Sequence, residues 1–159
     1  MLNAIIIEDE KPAMEMLAQM LGEVPSGVNV KARLNSVKEG IEFISTHPEA
    51  DIIFSDVQLS DGLSFEIFKQ TGVQTPVIFT TGYDKFMMLA FENNGIDYLL
   101  KPISKSDLDK ALLKYRKLQT HFSHTDINEP VDNLVKLISS RKKTRLLVKK
   151  GMENITLKL

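Results

Sequence analysis

Short apolar runs alternate along this chain with longer stretches in which apolar residues recur every three or four positions. That pattern predicts strands joined by helices around a parallel sheet. Ala4-Ile5-Ile6-Ile7 has no polar position and predicts a first strand buried on both faces. Pro12 suits the first turn of the helix that follows, where its missing N–H costs nothing, and Leu17, Met20 and Leu21 repeat at helical spacing. Over residues 29–34, Val30, Ala32 and Leu34 alternate with polar positions and predict a second strand. Ser36-Val37-Lys38-Glu39 has the form of a capping box opening a helix through Ile41 and Ile44. The third strand is predicted at 51–55, with a helix near 63–70. The fourth strand follows at 77–80, then a helix from about 85 to 93 ended by Gly95, and a fifth strand at 98–100. Ser104, with Asp107 three positions on, opens a last helix carrying Leu108, Ala111, Leu112, Tyr115 and Leu118. The expected class is α/β, a doubly wound five-stranded parallel sheet.

Past Leu118 the pattern changes. Residues 119–130 hold polar residues, two histidines and little periodicity, which predicts a linker between a domain at 1–118 and an appendage at 131–159. In the appendage, Val131, Leu134, Val135 and Ile138 support a short helix opened by Pro130. Residues 145–150 and 154–159 flank Gly151 as a β-hairpin.

Composition narrows the function classes. The 159 residues carry a net charge of −1, so no global field recruits nucleic acid or membrane. There is no cysteine, which excludes a disulfide framework and thiol chemistry. The N-terminal apolar run is too short for a signal sequence and leads directly into acids. No apolar run approaches the roughly 20 residues of a membrane helix. The expectation is a soluble, cytoplasmic protein with no membrane partner.

Chemistry-bearing residues fall where the predicted strands end. Glu8-Asp9 follow the first, Asp56 the third, Thr80-Thr81 the fourth and Lys101-Pro102 the fifth. In an open parallel sheet that carboxyl edge is where ligands sit. Like charges about 4 Å apart repel by roughly 4 kcal/mol at an effective dielectric near 20, so three carboxylates in one pocket need a proton or a cation. Mg²⁺ suits such hard oxygen donors. Either Thr80 or Thr81 supplies a hydroxyl to the pocket. Spacing to Lys101 and the following Gly82-Tyr83 favour Thr81.

The runs Asp56-Val57-Gln58-Leu59-Ser60-Asp61-Gly62, Thr80-Thr81-Gly82-Tyr83-Asp84 and Asp97-Tyr98-Leu99-Leu100-Lys101-Pro102 resemble the receiver domain of two-component response regulators, the LytTR (LytR/AlgR-like) family in particular. The resemblance implies a flavodoxin-like sheet of order 2-1-3-4-5. It implies that Asp56 accepts a phosphoryl group from a sensor histidine kinase, with Mg²⁺ held by Asp9, Asp56 and the backbone carbonyl of Gln58. Glu8 acts through water or from behind these ligands. Lys101 places a positive charge on the phosphoryl oxygens and precedes a cis peptide to Pro102. Thr81 senses the phosphate and Tyr98 rotates inward in response, while Gln58 and Tyr83 form the rim. Tyr98 can also be read as an ordinary strand aromatic. Ser60 stands where many receivers carry proline, and the loop to Gly62 is a residue shorter than in the commonest subfamilies.

The same resemblance implies a homodimer through the fourth helix, fifth strand and fifth helix. Residues 86–91, six apolar positions in a row, fit that surface or simple core packing equally well. The terminal hairpin resembles the opening strands of a LytTR DNA-binding domain that stops early, so DNA contact is expected only through a full-length C-terminal domain. The basic run Arg141 to Lys150 reads either as phosphate contact or as a solvated face, and the second reading is favoured. The hairpin, marginal alone in water, is expected to pack on its own receiver or to pair through its open edge with another chain. His47, His121 and His124 show no metal-ligand constellation. The expected role is a signalling switch with weak autophosphatase activity, not a metabolic enzyme. The rivals are a pseudo-receiver without turnover, an aspartyl-phosphate hydrolase, which wants an acid where Gln58 stands, and a dinucleotide-binding enzyme, which wants a glycine-rich turn after the first strand.

Overall fold

The computed structural model describes residues 1–47, 49–82, 90 and 95–124. Two compact units divide the chain, Met1–Leu112 and Leu113–Leu159. The first contains a five-stranded parallel sheet: β1 (Leu2–Ile7), β2 (Val28–Leu34), β3 (Ile52–Asp56), β4 (Val77–Thr81) and β5 (Gly95–Leu100). Their order is β2-β1-β3-β4-β5, and every pairing is parallel. The doubly wound, flavodoxin-like fold expected from the sequence is the one observed.

Composition follows position in the sheet. Central β3 and β4 are buried at every residue, whereas β2, at an edge, alternates buried or half-buried with exposed residues. Side chains alternate between the two faces of each strand. Ile5, Ile7, Ile53, Val77, Phe79 and Tyr98 form one core cluster with residues of α2 (Val37–Thr46) and α3 (Phe65–Thr71). Phe79 anchors it, its ring centroid 5.1 Å from that of Phe65 and 5.7 Å from that of Phe68. Helix α1 (Lys11–Gly22) buries Met14, Leu17 and Leu21 and packs against β1 and β2. Its buried stripe starts a turn earlier than the sequence pattern indicated and leaves Met20 half-exposed.

Helix α2 is capped as its sequence predicts: Ser36 Oγ accepts the Glu39 N–H at 3.0 Å, while Glu39 Oε1 accepts the Asn35 N–H at 2.8 Å. The last described helix, Lys105–His124, has Ser104 accepting the Asp107 N–H at 3.0 Å.

Two local expectations are corrected. Gly95 opens β5 instead of capping a helix in the left-handed conformation, which among the described glycines occurs only at Gly27, Gly62 and Gly72. Close packing is the reason for glycine there, because a Cβ would run into the Ala90 carbonyl. The final helix also continues to His124, into the segment read as linker, since nothing in 119–124 breaks it. The expected helix at 85–93 (apart from Ala90), the appendage at 131–159 and the basic run lie outside the described residues.

Candidate functional site

Parallel pairing brings the carboxyl ends of β1, β3, β4 and β5 to one edge of the sheet. Glu8 and Asp9 follow β1, Asp56 ends β3, Thr80 and Thr81 end β4, and Lys101 follows β5. Oxygen atoms of Glu8, Asp9 and Asp56 all lie within 4.8 Å of one another. The Lys101 ammonium joins two of them, donating to Glu8 Oε1 at 2.7 Å and to Asp56 Oδ2 at 2.9 Å. Its backbone N–H donates to the Thr81 carbonyl at 2.8 Å, which ties the lysine to the neighbouring strand. The Lys101–Pro102 peptide is cis.

The electrostatics follow from burial. Glu8 is 4% exposed, and desolvation, reinforced by the charge of Asp56, pushes its carboxyl from the usual 4.5 up to about 7 against the pull of Lys101. Burial works to lower the Lys101 ammonium, but its hydrogen bonds to Glu8 and Asp56 outweigh that and hold it above 10.5. Two of the three carboxylates thus share one ammonium, with Asp9 beside them. The remaining negative charge and the cluster of hard oxygens suit a divalent ion such as Mg²⁺.

Other expected residues take up definite positions. Asp56 is buried, and its Oδ1 accepts the Gln58 N–H at 3.3 Å; Gln58 itself is exposed. Glu8 has a carboxylate oxygen in the cluster, where its Oε1 accepts from the Lys101 ammonium at 2.7 Å. Thr80 and Thr81 are both buried. Thr80 is the register partner of Asp56, and its carbonyl accepts the Val57 N–H at 3.1 Å. A cavity of about 260 Å³ beside the lysine is lined by Pro12, Met16, Met20, Thr80, Lys101 and Ile103 among others, and Thr81 is not part of it. Sequence pattern gave no sign of this groove beyond the methionines of α1. Tyr98 is only 1% exposed and belongs to the core cluster with Phe79. Tyr83 lies outside the described residues.

This constellation on this sheet defines a receiver. A model of the response regulator receiver domain matches residues 4–113. The chain belongs to that family, the receivers of two-component signalling, in which an acidic pocket binds Mg²⁺. Curated relatives include sensory transduction protein LytR of Streptococcus mutans, 33% identical over 99% of this chain and 59% of its own, and sensory transduction protein LytT of Bacillus anthracis, 32% identical over 74% and 48%. The LytT/LytR type seen in the sequence is therefore shared with its relatives. The chain spans about half the length of the curated relatives it matches. Among solved structures, a two-component response regulator from Clostridium difficile superimposes with a TM-score of 0.64 at 25% identity, covering 74% of this chain and 97% of that one. No helix among the described residues is long and apolar enough to cross a membrane.

Proposed function

We propose that this receiver is an active phosphoryl-group switch, with Asp56 as the acceptor. The observation that carries the reading is the Lys101 ammonium bridging Glu8 and Asp56 beside a third carboxylate at the ligand edge of the sheet. A carboxylate oxygen of Asp56 attacks the phosphorus of a phosphohistidine on a sensor kinase. The O–P bond forms, the N–P bond breaks, and the imidazole leaves. No general base is needed, because the nucleophile carries no proton. Lys101, already within hydrogen-bond distance of Asp56, offers its charge to the incoming oxygens. Asp9, Asp56 and the Gln58 carbonyl are the residues that would hold Mg²⁺, with Glu8 at their side. When bound, that ion neutralises charge on the transferred group.

Thr81 is assigned the sensing hydroxyl from its place at the end of β4, beside Lys101. The output is dimerisation through the surface around the fifth strand, followed by DNA binding through a C-terminal domain of the LytTR type. The chain turns over no metabolite, and its only hydrolytic role is slow loss of its own phosphoryl group. A pseudo-receiver is the alternative, and the complete set of acids and lysine speaks against it.

Incubation with acetyl phosphate and MgCl₂ should yield a protein-bound phosphate that hydroxylamine releases, as it does an acyl phosphate. EDTA should prevent its formation. A hydroxylamine-stable phosphate, or none, would sink the assignment.

A further inference from the structure

Five residues past the acceptor, the side chain of Asp61 reaches back to a different element. Its Oδ1 accepts the Val37 N–H at 2.7 Å and its Oδ2 accepts the Lys38 N–H at 3.1 Å, the first two amides of α2. Ser36 already serves the third. The start of α2 is thus capped twice, once from its own chain and once by a forked carboxylate from 24 positions away. These hydrogen bonds hold the Asp61 carboxyl below its ordinary value, so it is an anion throughout the neutral range.

The loop so clasped is the one that leaves the acceptor. Gln58 pairs with Leu63 and Leu59 with Gly62 in a two-residue antiparallel ribbon. Gly62 adopts φ 145°, a conformation open to glycine almost alone, which lets the turn close within so short a span. One end of the segment is fixed by Val57, whose N–H donates to Thr80 O at 3.1 Å and whose carbonyl accepts the Ser64 N–H at 2.8 Å. Among the described residues, Asp61 is the side chain that ties the exposed tip to a helix.

We propose that Asp61 is a positioning residue for the acceptor loop: its grip on the start of α2 holds the turn that presents Gln58 to the acid site. Resting on the phosphoryl-switch reading, the inference gives Asp61 an effect on cation affinity that an ordinary helix cap lacks. The loop is anchored without it at Val57 and Ser64, so its loss loosens residues 58–63 while leaving the sheet intact.

Three variants, Asp61→Ala, Asp61→Asn and Ser36→Ala, separate the two roles. Mg²⁺ binding is measured by calorimetry, amide exchange by mass spectrometry, and acetyl-phosphate labelling across Mg²⁺ concentrations. Asp61→Ala should weaken Mg²⁺ by about ten-fold, the loss typical of groups that orient ligands. It should also raise exchange over 58–63 and move the half-saturating Mg²⁺ without a comparable change in the rate at saturation. Asp61→Asn, which keeps one acceptor, should recover part of the affinity. Ser36→Ala also removes a cap from α2 but should leave Mg²⁺ affinity within about two-fold. Unchanged affinity in Asp61→Ala, or an equal loss in Ser36→Ala, overturns the positioning role while wild-type labelling stands. A wild type that neither binds Mg²⁺ nor becomes labelled overturns the switch reading itself, and the positioning role with it.

Discussion

Replacing Lys101 with methionine keeps the apolar stem and deletes the charge that two carboxylates share. Those acids and Asp9 have oxygens within 4.8 Å of one another, a distance at which an ionised pair repels by about 3.5 kcal/mol at an effective dielectric near 20. The lysine side chain is 24% exposed and its bonds measure 2.7 and 2.9 Å, so solvent offsets the loss only in part. Breaking a buried pair costs about 3–5 kcal/mol, and the protein can limit this by keeping Glu8 protonated. A net loss of about 2–3 kcal/mol without divalent cation is expected near pH 8. The sign with pH follows from Glu8. Its carboxyl is raised in the folded state from 4.5 to about 7, so the associated stability is full below 4.5 and is lost as pH rises toward 7. That displacement is worth at most about 3 kcal/mol in the wild type, and Lys101→Met should extend the loss to higher pH. Removal of the competing ammonium should also tighten Mg²⁺ binding: a bound ion stabilises by about 2.7 kcal/mol at a hundred times its dissociation constant, and the variant should reach that gain at a lower Mg²⁺ concentration than wild type. Urea unfolding in EDTA and in MgCl₂, near pH 5 and pH 8, measures all three terms. A variant within about 0.5 kcal/mol of wild type in EDTA near pH 8, with the same response to Mg²⁺, would refute the shared-charge account.

Three further outcomes are expected. Gly95→Ala should cost about 2 kcal/mol or more in chemical denaturation, because its Cβ meets the Ala90 backbone and not a side chain that can turn aside; a cost below about 0.5 kcal/mol would contradict the packing. Ser64→Ala should stabilise by about 1 kcal/mol, since the Ser64 hydroxyl is buried with no hydrogen-bond partner among the described residues, and destabilisation by that amount would show the hydroxyl is used. Thr81→Ala should still accept a phosphoryl group but lose phosphorylation-dependent dimerisation, whereas Thr80→Ala should keep it; the reverse result in sedimentation would transfer the sensing role to the residue that lines the cavity.

Much of the frame could be read from local composition. Ala4–Ile7 and the run ending at Asp56 are apolar because both faces of these strands are covered, and the alternation in β2 reports its place at an edge. Those strands also delivered the acids, since a parallel sheet needs no further information to place its carboxyl ends together. What stayed hidden depends on contacts between distant residues. No local pattern shows that Lys101 grips Glu8, 93 positions away, or that Asp61 caps α2. The start of β5 was missed because Gly95 and Asp97 are poor strand formers in isolation; Asp97 is buried all the same, its Oδ1 accepting the Tyr98 N–H at 2.8 Å. Gly95 was misread for a related reason, as the carbonyl it must avoid belongs to Ala90.

The central claim, that Asp56 takes a phosphoryl group, is most directly tested by intact-protein mass spectrometry after exposure to acetyl phosphate. Wild type and Asp56→Asn should be compared with and without Mg²⁺. The account predicts a gain of about 80 Da, one phosphoryl group, in wild type with Mg²⁺ and in no other sample. An equal gain in Asp56→Asn would place the acceptor elsewhere, and no gain in wild type would contradict the switch.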